Sequence, residues 1–227
     1  RAALERLQRA GGLVACLSGR AAPDGAAMVG VPGVVYIGNH GLERMVDRHV
    51  QLVPAAAQLA PALDRAAAEI GRWVSVPGVL LEPKGVSLSL HYRMAADPEA
   101  TRVHLRKVVD TAVAGLPLRV REGRMVLEVL PDIAVNKGTA LRDLLQEVTP
   151  AAAIYFGDDL TDVDAMMALR QWGRAHDRPA VTVAVLSPES PDELVRLADY
   201  AARSPAEVGA VLTWLAERCA GPAAAGA

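Results

Sequence analysis

Four aspartates, Asp158, Asp159, Asp162 and Asp164, occur within seven residues in the segment GDDLTDVD. They directly follow the apolar run AAAIYF, which predicts a buried strand, so the acidic side chains begin where that strand ends. Helix capping explains part of the cluster, because Thr161 is a favourable N-cap and Asp162 and Asp164 would lie in the first helical turn. Capping does not explain Asp158 and Asp159. Their carboxylate oxygens suit a hard cation such as Mg²⁺, and we therefore predict a metal site.

Two further predicted strand ends carry groups that can bind a phosphate. Ser18 follows the apolar run LVACL, and a hydroxyl with backbone N–H groups at a glycine turn can bind one phosphoryl oxygen. A plain Ser-Gly turn is the alternative. Lys137 opens the predicted helix KGTALRDLL, although a cation is stabilised at the opposite end of a helix. Lys137 therefore either has an anionic partner or extends into solvent, and its position in the sequence leaves both open.

The loop GNHGLE follows a third apolar run, VVYIG, and supplies Asn39, His40 and Glu43. These side chains offer donors and acceptors at another predicted strand end, where ligands bind in open parallel sheets. A polar loop between glycines can also be a simple connection, so this signal is weaker than the acidic cluster.

The order of predicted elements favours an α/β fold with a parallel sheet covered by helices. Strands and helices alternate along most of the chain, and a Gly/Pro-rich stretch at 21–33 precedes the strand VVYIG. From residue 76 to 131 the pattern becomes that of a half-exposed antiparallel sheet with one amphipathic helix. We therefore predict a core formed by 1–75 and 132–220, a small inserted α+β domain at 76–131, and a flexible tail at 221–227.

Composition excludes several classes of partner. The net charge is −2 and only 4% of the 227 residues are aromatic, so neither a basic surface nor a stacking platform for nucleic acid is expected. No run approaches the roughly 18 apolar residues of a membrane helix, and we predict no membrane association. The two cysteines, Cys16 and Cys219, allow at most one bridge, which favours a reducing cytoplasm.

The combination of these strand ends resembles the haloacid dehalogenase (HAD) superfamily of phosphatases. SGR is similar to its second motif, the helix start at Lys137 to its third, and GDDLTD to its fourth. Within the superfamily, GNHGLE, EPKGVSLSLHYR, LEVLP with NKGTALRDLL, and GDDLTDVDA resemble trehalose-6-phosphate phosphatases. The resemblance covers roughly residues 10–200, and GNHG together with the lysine and HYR of the insertion is its more specific part.

The resemblance implies Mg²⁺-dependent hydrolysis of trehalose 6-phosphate to trehalose and phosphate through an aspartyl-phosphate. In this sequence it implies that Ser18 holds the phosphoryl group by a hydrogen bond and that Lys137 neutralises its charge. It also implies that Asp158 binds Mg²⁺, with Asp159 and Asp162 as further ligands or as residues that hold water. These are the positioning and charge-stabilising parts that phosphoryl transfer requires.

The resemblance further implies that the insertion is a cap that closes over a sugar phosphate, a small-molecule substrate. The candidate substrate-binding residues on the core and on the insertion are Arg20, Asn39, His40, Lys84, His91, Arg93 and Glu128. Glu82 is a further polar group of the insertion. A charged, solvated sheet face is the alternative for the insertion. The resemblance favours function for Lys84 and Glu128, and leaves His91 and Arg93 open.

One departure from the family pattern is large. The first motif, Asp-x-Asp-Gly-Thr, is absent, and the Asp162–Asp164 pair belongs to the fourth motif. The aspartate nucleophile, the general acid and one metal ligand are therefore missing, together with a strand that is central in the family's sheet. Loss of a central strand leaves backbone groups unpaired, so a shortened sequence is a better explanation than a natural inactive relative.

Two alternative functions stay open at this point. One is another sugar phosphatase of the superfamily, of the sucrose or mannose type. The other is a non-catalytic module that binds a sugar phosphate, associated or fused with a trehalose-6-phosphate synthase.

Overall fold

The computed structural model describes residues 1–46 and 48–219; the predicted tail at 221–227 lies outside them. The helices are α1 Ala2–Arg9, α2 Ala22–Val29, α3 Pro54–Ala57, α4 Ala60–Trp73, α5 Pro98–Val113, α6 Lys137–Val148, α7 Leu160–His176, α8 Asp192–Leu197 and α9 Pro205–Cys219. The strands are β1 Ala15–Leu17, β2 Val35–Gly38, β3 Glu43–Val46, β4 His49–Leu52, β5 Leu80–Pro83, β6 Leu88–His91, β7 Leu118–Gly123, β8 Val126–Pro131, β9 Ala153–Gly157, β10 Ala180–Val185 and β11 Tyr200–Ala202. The chain divides into a first unit, residues 1–50 and from 135 onward, and a second unit, residues 51–134.

Parallel strands dominate the first unit. β1 pairs in parallel with β2, and β3 and β4 continue that sheet. β10 lies between β9 and β11, and both of these pairings are parallel. β3 pairs antiparallel with β2, while the parallel strands β1, β2, β9, β10 and β11 alternate with helices along the chain, which confirms the predicted α/β fold. Among the residues that the structure describes, β1 and β9 each pair on one side only.

Helices α6 and α7 pack side by side in the first unit. Leu141 of α6 and Leu169 and Trp172 of α7 share one buried cluster, and Leu17 at the end of β1 packs against it. At the amino-terminal ends of these helices, a Cβ atom on Gly138 would lie 2.5 Å from a backbone carbonyl oxygen of α7. Glycine is therefore required for the two helix starts to approach so closely.

The second unit is an antiparallel sheet in the order β5-β6-β8-β7, packed against α4 and α5. Leu88 and Leu90 of β6 and Leu127 and Val129 of β8 are buried in its core. Successive side chains of a strand point to opposite faces, so Ser89 and Glu128 lie on the other face of this sheet.

The boundary of the second unit differs from the predicted one. The unit begins at residue 51, whereas the sequence analysis started the insertion at residue 76. The reason is the apolar face of α4, because Ala62, Leu63, Ala66 and Ile70 are buried in the same core as β6 and β8. A helical pattern shows that one face is buried but not which sheet covers it.

The Gly/Pro-rich stretch at 21–33 contains the helix α2. Pro23 lies in the first turn of α2, where its missing N–H costs nothing. Gly30 ends the helix in the left-handed conformation, with φ of 63°. Proline at the start and glycine at the end are thus compatible with the helix.

No helix in the described part of the chain is long and apolar enough to span a membrane.

Leu90 provides a test of the second core. Its side chain is completely buried between the sheet and the helices. We expect Leu90→Ala to lower the free energy of unfolding by about 2–5 kcal/mol, because it leaves a cavity. Urea denaturation followed by circular dichroism measures this loss.

The matched control is Leu80→Ala, since Leu80 is 62% exposed on the edge strand of the same sheet. We expect its effect to stay within about 0.5 kcal/mol. Equal losses in the two variants would contradict the core described above.

Candidate active site

Asp162 is the most highly connected carboxylate at the end of β9. It is buried at the third position of α7, whose N-cap is Asp159. The two residues form a reciprocal capping box at the start of this helix. The prediction that Thr161 is the N-cap is therefore wrong. Asp159 and Thr161 both have side chains that can cap a helix, and α7 begins directly after Asp159.

Each of the two carboxylate oxygens of Asp162 accepts two hydrogen bonds. Oδ1 accepts from Nζ of Lys137 at 2.7 Å and from the hydroxyl of Tyr155 at 2.6 Å. Oδ2 accepts from the backbone N–H groups of Asp158 and Asp159, each at 3.0 Å. Four donors use the acceptor capacity of a carboxylate. Asp162 is thus an anchor for its neighbours, and its predicted part as a metal ligand or as a residue that holds water stays a prediction.

Asp162 is also the anionic partner that the sequence left open for Lys137. Lys137 is the first residue of α6, and its side chain is only 8% exposed. Asn136 caps α6 together with Thr139, so the helix start is stabilised without a charge from Lys137. The ammonium group is therefore held in place by the ion pair and not by the helix to which it belongs.

The electrostatics of Asp162 favour its ionised form. Burial opposes ionisation and is the largest single effect, but Lys137, the Tyr155 hydroxyl and the backbone amide of Asp159 together outweigh it. The pKa of Asp162 is consequently below its ordinary value. Burial and the charge of Asp162 raise the pKa of Tyr155 well above its ordinary value, so this hydroxyl remains a donor.

Asp158 and Asp159 are the exposed carboxylates that follow β9, and Asp159 also caps α7 with its side chain. Partial burial and then the charge of Asp162 raise the pKa of Asp158, while Lys137 opposes the shift. Asp158, Asp159 and Asp162 thus repel one another electrostatically, with Lys137 as the cation that opposes the shift. A bound cation would relieve that repulsion.

The chemistry of this donor set fits Mg²⁺. The described residues contain no group of three or more His, Cys, Asp or Glu side chains arranged to hold a metal. Mg²⁺ does not need such a group, since it commonly uses one or two carboxylates with waters and a substrate phosphate. Asp158 and Asp159 can supply those two carboxylates.

Ser18, Arg20, Asn39 and His40 are brought together by two crossing loops. The backbone N–H of Asn39 donates to the carbonyl of Arg20 at 2.8 Å, and that of His40 donates to the carbonyl of Ser18 at 2.9 Å. The hydroxyl of Ser18 accepts from the N–H of Arg20 at 3.1 Å. A Cβ atom on Gly19 would lie 2.4 Å from the His40 ring, so the two loops are in direct contact.

Backbone conformation explains why the second loop needs its sequence. Asn39 and His40 have φ values of 48° and 59°, a region that asparagine tolerates better than most residues. Gly38 is equally constrained, because a Cβ atom there would lie 2.3 Å from the backbone nitrogen of Ala22. The motif GNHG is thus a structural requirement for the position of His40.

Two further residues of the first unit hold other groups in place: Glu43, which the sequence analysis named in the loop GNHGLE, and Tyr155, which it did not name as a site residue. Glu43 is buried, and its Oε1 accepts from the N–H of Ala22 at 2.5 Å, at the start of α2. Tyr155 lies inside an apolar run and was interpreted as core. Its signal was the alternation of β9, which puts Tyr155 on the same face as Gly157, beside Asp162.

The second unit gathers three of its four predicted residues. Nζ of Lys84 lies 3.8 Å from Glu82 and 4.0 Å from Glu128, and Nε2 of His91 lies 2.7 Å from Glu82. The Lys84 side chain is only 9% exposed, which argues against a freely solvated charge. Arg93 is exposed beyond the end of β6 and forms no hydrogen bond or ion pair within the described residues.

A polar row that the sequence analysis overlooked crosses this sheet. Glu82, Ser89, Glu128 and Arg121 occupy paired positions on four adjacent strands. Arg121 donates to Glu128, and the buried hydroxyl of Ser89 has no hydrogen-bond partner in the described structure. Buried hydroxyl groups are nearly always satisfied, so this row is suited to a polar ligand or an ordered water.

Asp162 predicts a specific pH dependence. Because folding lowers its pKa, the folded state releases the proton more readily, and the stabilisation is complete above the ordinary pKa. It is lost as the pH falls below about 4, through the lower folded pKa. We expect Asp162→Asn to cost roughly 3–5 kcal/mol at pH 7 by leaving Lys137 unpaired, and less at pH 3.

Urea denaturation from pH 7 to pH 3 measures this difference. Asp164→Asn is the control, since Asp164 is exposed in the same helical turn and should cost below about 1 kcal/mol. A deficit for Asp162→Asn that stays constant with pH would contradict the ion pair.

Tyr155→Phe isolates the hydroxyl of the same network. We expect a loss of about 1–2 kcal/mol in stability and a rise in the pKa of Asp162, because one donor to its carboxylate disappears. Carbon-13 NMR of the carboxyl groups reports that pKa. Tyr36→Phe is the control, because its buried hydroxyl donates to the carbonyl of Val31 instead. An unchanged Asp162 titration in Tyr155→Phe would exclude a positioning role.

Comparisons with known proteins identify the family. The sequence model described as trehalose-phosphatase matches residues 1–197. The trehalose-phosphate phosphatase of Mycobacterium ulcerans is 38% identical over 204 residues, which cover 84% of this chain and 51% of that protein. The chain thus spans about half the length of the curated relatives it matches.

Two solved structures from Candida albicans share the fold. The carboxyl-terminal domain of its trehalose-6-phosphate phosphatase superimposes with a TM-score of 0.73 at 23% identity, over 95% of this chain and 82% of that one. The carboxyl-terminal domain of its trehalose synthase regulatory protein gives a TM-score of 0.68 at 15% identity, over 93% and 86%. The match to the family, together with this shared fold, establishes that the chain belongs to the trehalose-phosphatase family of the HAD superfamily.

Proposed function

We propose that this chain carries the phosphate-handling and sugar-binding parts of an enzyme that hydrolyses trehalose 6-phosphate to trehalose and phosphate. The observation that carries the proposal is the buried Lys137–Asp162 pair together with the exposed Asp158 and Asp159, whose backbone N–H groups donate to the same Asp162. A fixed cation beside exposed carboxylates is suited to a phosphoryl group bound together with a metal ion. The family assignment supports trehalose 6-phosphate as the substrate.

Each residue has a distinct part in this mechanism. The hydroxyl of Ser18 donates a hydrogen bond to a phosphoryl oxygen, and Lys137 balances the charge that the phosphoryl group brings. Asp158 and Asp159 hold Mg²⁺, and the ion, when bound, supplies further positive charge to the phosphoryl oxygens. Asp162 and Tyr155 act through the others, because they fix Lys137 and the two backbone amides. These groups position the substrate and stabilise charge, which are the main demands of phosphoryl transfer.

The nucleophile in this proposal comes from residues outside the present sequence. Asp162 is already held by four donors, and the Asp-x-Asp-Gly-Thr motif does not occur in the 227 residues. In the described structure β1 and β9 each lack a partner on one side, and Leu17 of β1 packs on the cluster that contains Tyr155 of β9. A strand that carries an aspartate at its carboxyl end and pairs with these edges would bring the nucleophile to Lys137 and Asp158.

The second unit, in this proposal, recognises the sugar. Lys84, Glu128 and Glu82 form a partly desolvated cluster of donors and acceptors, and His91 contacts the same Glu82. Sugar hydroxyl groups both donate and accept, so a mixed-charge cluster can bind them. Arg93, Arg20, Asn39 and His40 complete the set of proposed substrate contacts. The family assignment supports trehalose as the sugar.

We place the reaction in the cytoplasm, since both Cys16 and Cys219 are free thiols in the structure. Association or fusion with a trehalose-6-phosphate synthase would deliver the substrate to this site directly. Co-purification of the two proteins would support that association, and separate elution would argue against it.

Phosphate release from trehalose 6-phosphate tests the proposed function. The assay compares the 227-residue chain with a version extended by the residues encoded upstream, each with and without Mg²⁺. We expect turnover only from the extended version with Mg²⁺. In that version Lys137→Ala should lower kcat by about 10²–10³-fold or more, because it removes the charge opposite the phosphoryl group.

Two variants make the assay specific. Asp158→Asn should reduce both activity and the response to Mg²⁺. Lys107→Ala is the control, because Lys107 is an exposed lysine of α5, and its activity should stay near that of the parent. Near-normal rates in Lys137→Ala would remove Lys137 from the mechanism.

The alternative functions predict different outcomes. Faster release from sucrose or mannose phosphates would indicate another sugar phosphatase of the superfamily. Binding of trehalose 6-phosphate without turnover by either version would indicate a non-catalytic module, the reading favoured by the absent first motif.

A further inference from the structure

A cavity of about 500 Å³ lies at the carboxyl-terminal end of α7. Its lining includes Arg170, Arg174, Asp177, Arg178, Ala180 and Asp199. Ala180 begins β10 and pairs with Ala153 at the start of β9, so the cavity lies at the amino-terminal ends of these strands. The candidate active site follows the opposite end of β9. α7 has 17 residues and separates the two places by about 25 Å.

Arg170 is fixed at one side of the cavity. Its Nη1 donates to the carbonyl of Leu197 at 2.5 Å and contacts Asp199 at 3.1 Å. The other carboxylate oxygen of Asp199 accepts from the N–H and the hydroxyl of Thr182 at 2.9 and 2.8 Å. Asp199 is thereby satisfied, and its charge is balanced by Arg170.

Arg178 is fixed at the other side. α7 ends at His176, and Asp177 adopts a left-handed conformation with φ of 50° that turns the chain toward β10. Nη1 of Arg178 then donates to the carbonyls of Thr149 and Pro150. The hydrogen bonds described for Arg170 and Arg178 both use Nη1, which leaves the Nε and Nη2 donors of each guanidinium group.

Arg174 lies between them, one helical turn from Arg170. It is exposed, and it forms no hydrogen bond or ion pair within the described part of the chain. The dipole of α7 favours a cation near this end of the helix and so accounts for a basic residue here. It does not account for a cavity with one unengaged guanidinium group flanked by two that are held rigidly.

We propose that this cavity binds a small phosphorylated ligand, with the phosphate between Arg174 and Arg178. Guanidinium groups match phosphate oxygens through paired N–H donors, and two of the three are already oriented. With Asp199 balanced by Arg170, the remaining charges are those of Arg174, Arg178 and Asp177, a net positive charge. The volume lies within the usual range of small-molecule sites and exceeds that of phosphate alone. The rest of the ligand would therefore occupy the cavity beside Asp177.

NMR titration of the nitrogen-15-labelled 227-residue chain with glucose 6-phosphate tests the proposal, with glucose as the uncharged control. We expect saturable shifts of the amides of Gly173, Arg174 and Ala180 with glucose 6-phosphate and none with glucose. Arg174→Ala should weaken this binding about tenfold or more, as expected for loss of a charge-assisted contact. Arg142→Ala removes an exposed arginine of α6 and should leave it unchanged.

Lys137→Ala separates this cavity from the proposed active site, because it should leave the shifts at Gly173 and Ala180 intact. The proposal is overturned if those amides do not respond, if glucose moves them equally, or if Arg174→Ala binds as tightly as the parent. Loss of the response in Lys137→Ala would also overturn it, since the ligand would then belong to the other site.

Discussion

The four hydrogen bonds to the carboxylate of Asp162 hold together the end of the first unit that carries the proposed phosphate site. They join the first turn of α7 to Lys137 at the start of α6, to Tyr155 within β9, and to the backbone that carries Asp158 and Asp159. Without this carboxylate, the ammonium group of Lys137 would be buried and unpaired. The two exposed aspartates would also lose the bonds that fix their backbone.

Such an arrangement is poorly explained by stability alone. A buried ion pair costs nearly as much to desolvate as it returns, and a well-packed apolar replacement is often as stable. The pair instead places a cation at a defined point beside Asp158, whose pKa burial and Asp162 raise. The glycines around it serve the same end, since a Cβ atom on Gly157 would lie 2.4 Å from Asp162.

The sequence was sufficient to predict the α/β fold and the strand ends that carry the polar groups. Hydrophobic periodicity and the glycines at turns are signals that depend only on residues close together in the sequence. The sequence was insufficient wherever the answer depended on a distant partner. The role of Lys137 required the position of Asp162, 25 residues away. The start of the second unit required knowledge of the sheet that covers α4. Thr161 was mistaken for the cap because propensity does not choose between neighbouring capping residues.

The helix dipole explains some of the charges along α7 but not those next to its ends. Asp159 and Asp162 at its amino-terminal end and Arg174 at its carboxyl-terminal end complement the helix dipole, so the signs of these charges need no ligand. What the dipole leaves unexplained lies next to the helix at each end. Before it, partial burial and the neighbouring charge of Asp162 raise the pKa of Asp158 despite Lys137. After it, Arg178 is pinned beside a cavity that its bonds to Thr149 and Pro150 do not fill. A ligand at either end is inferred from those residues, and the helix supplies the rigid distance that keeps the two sites separate.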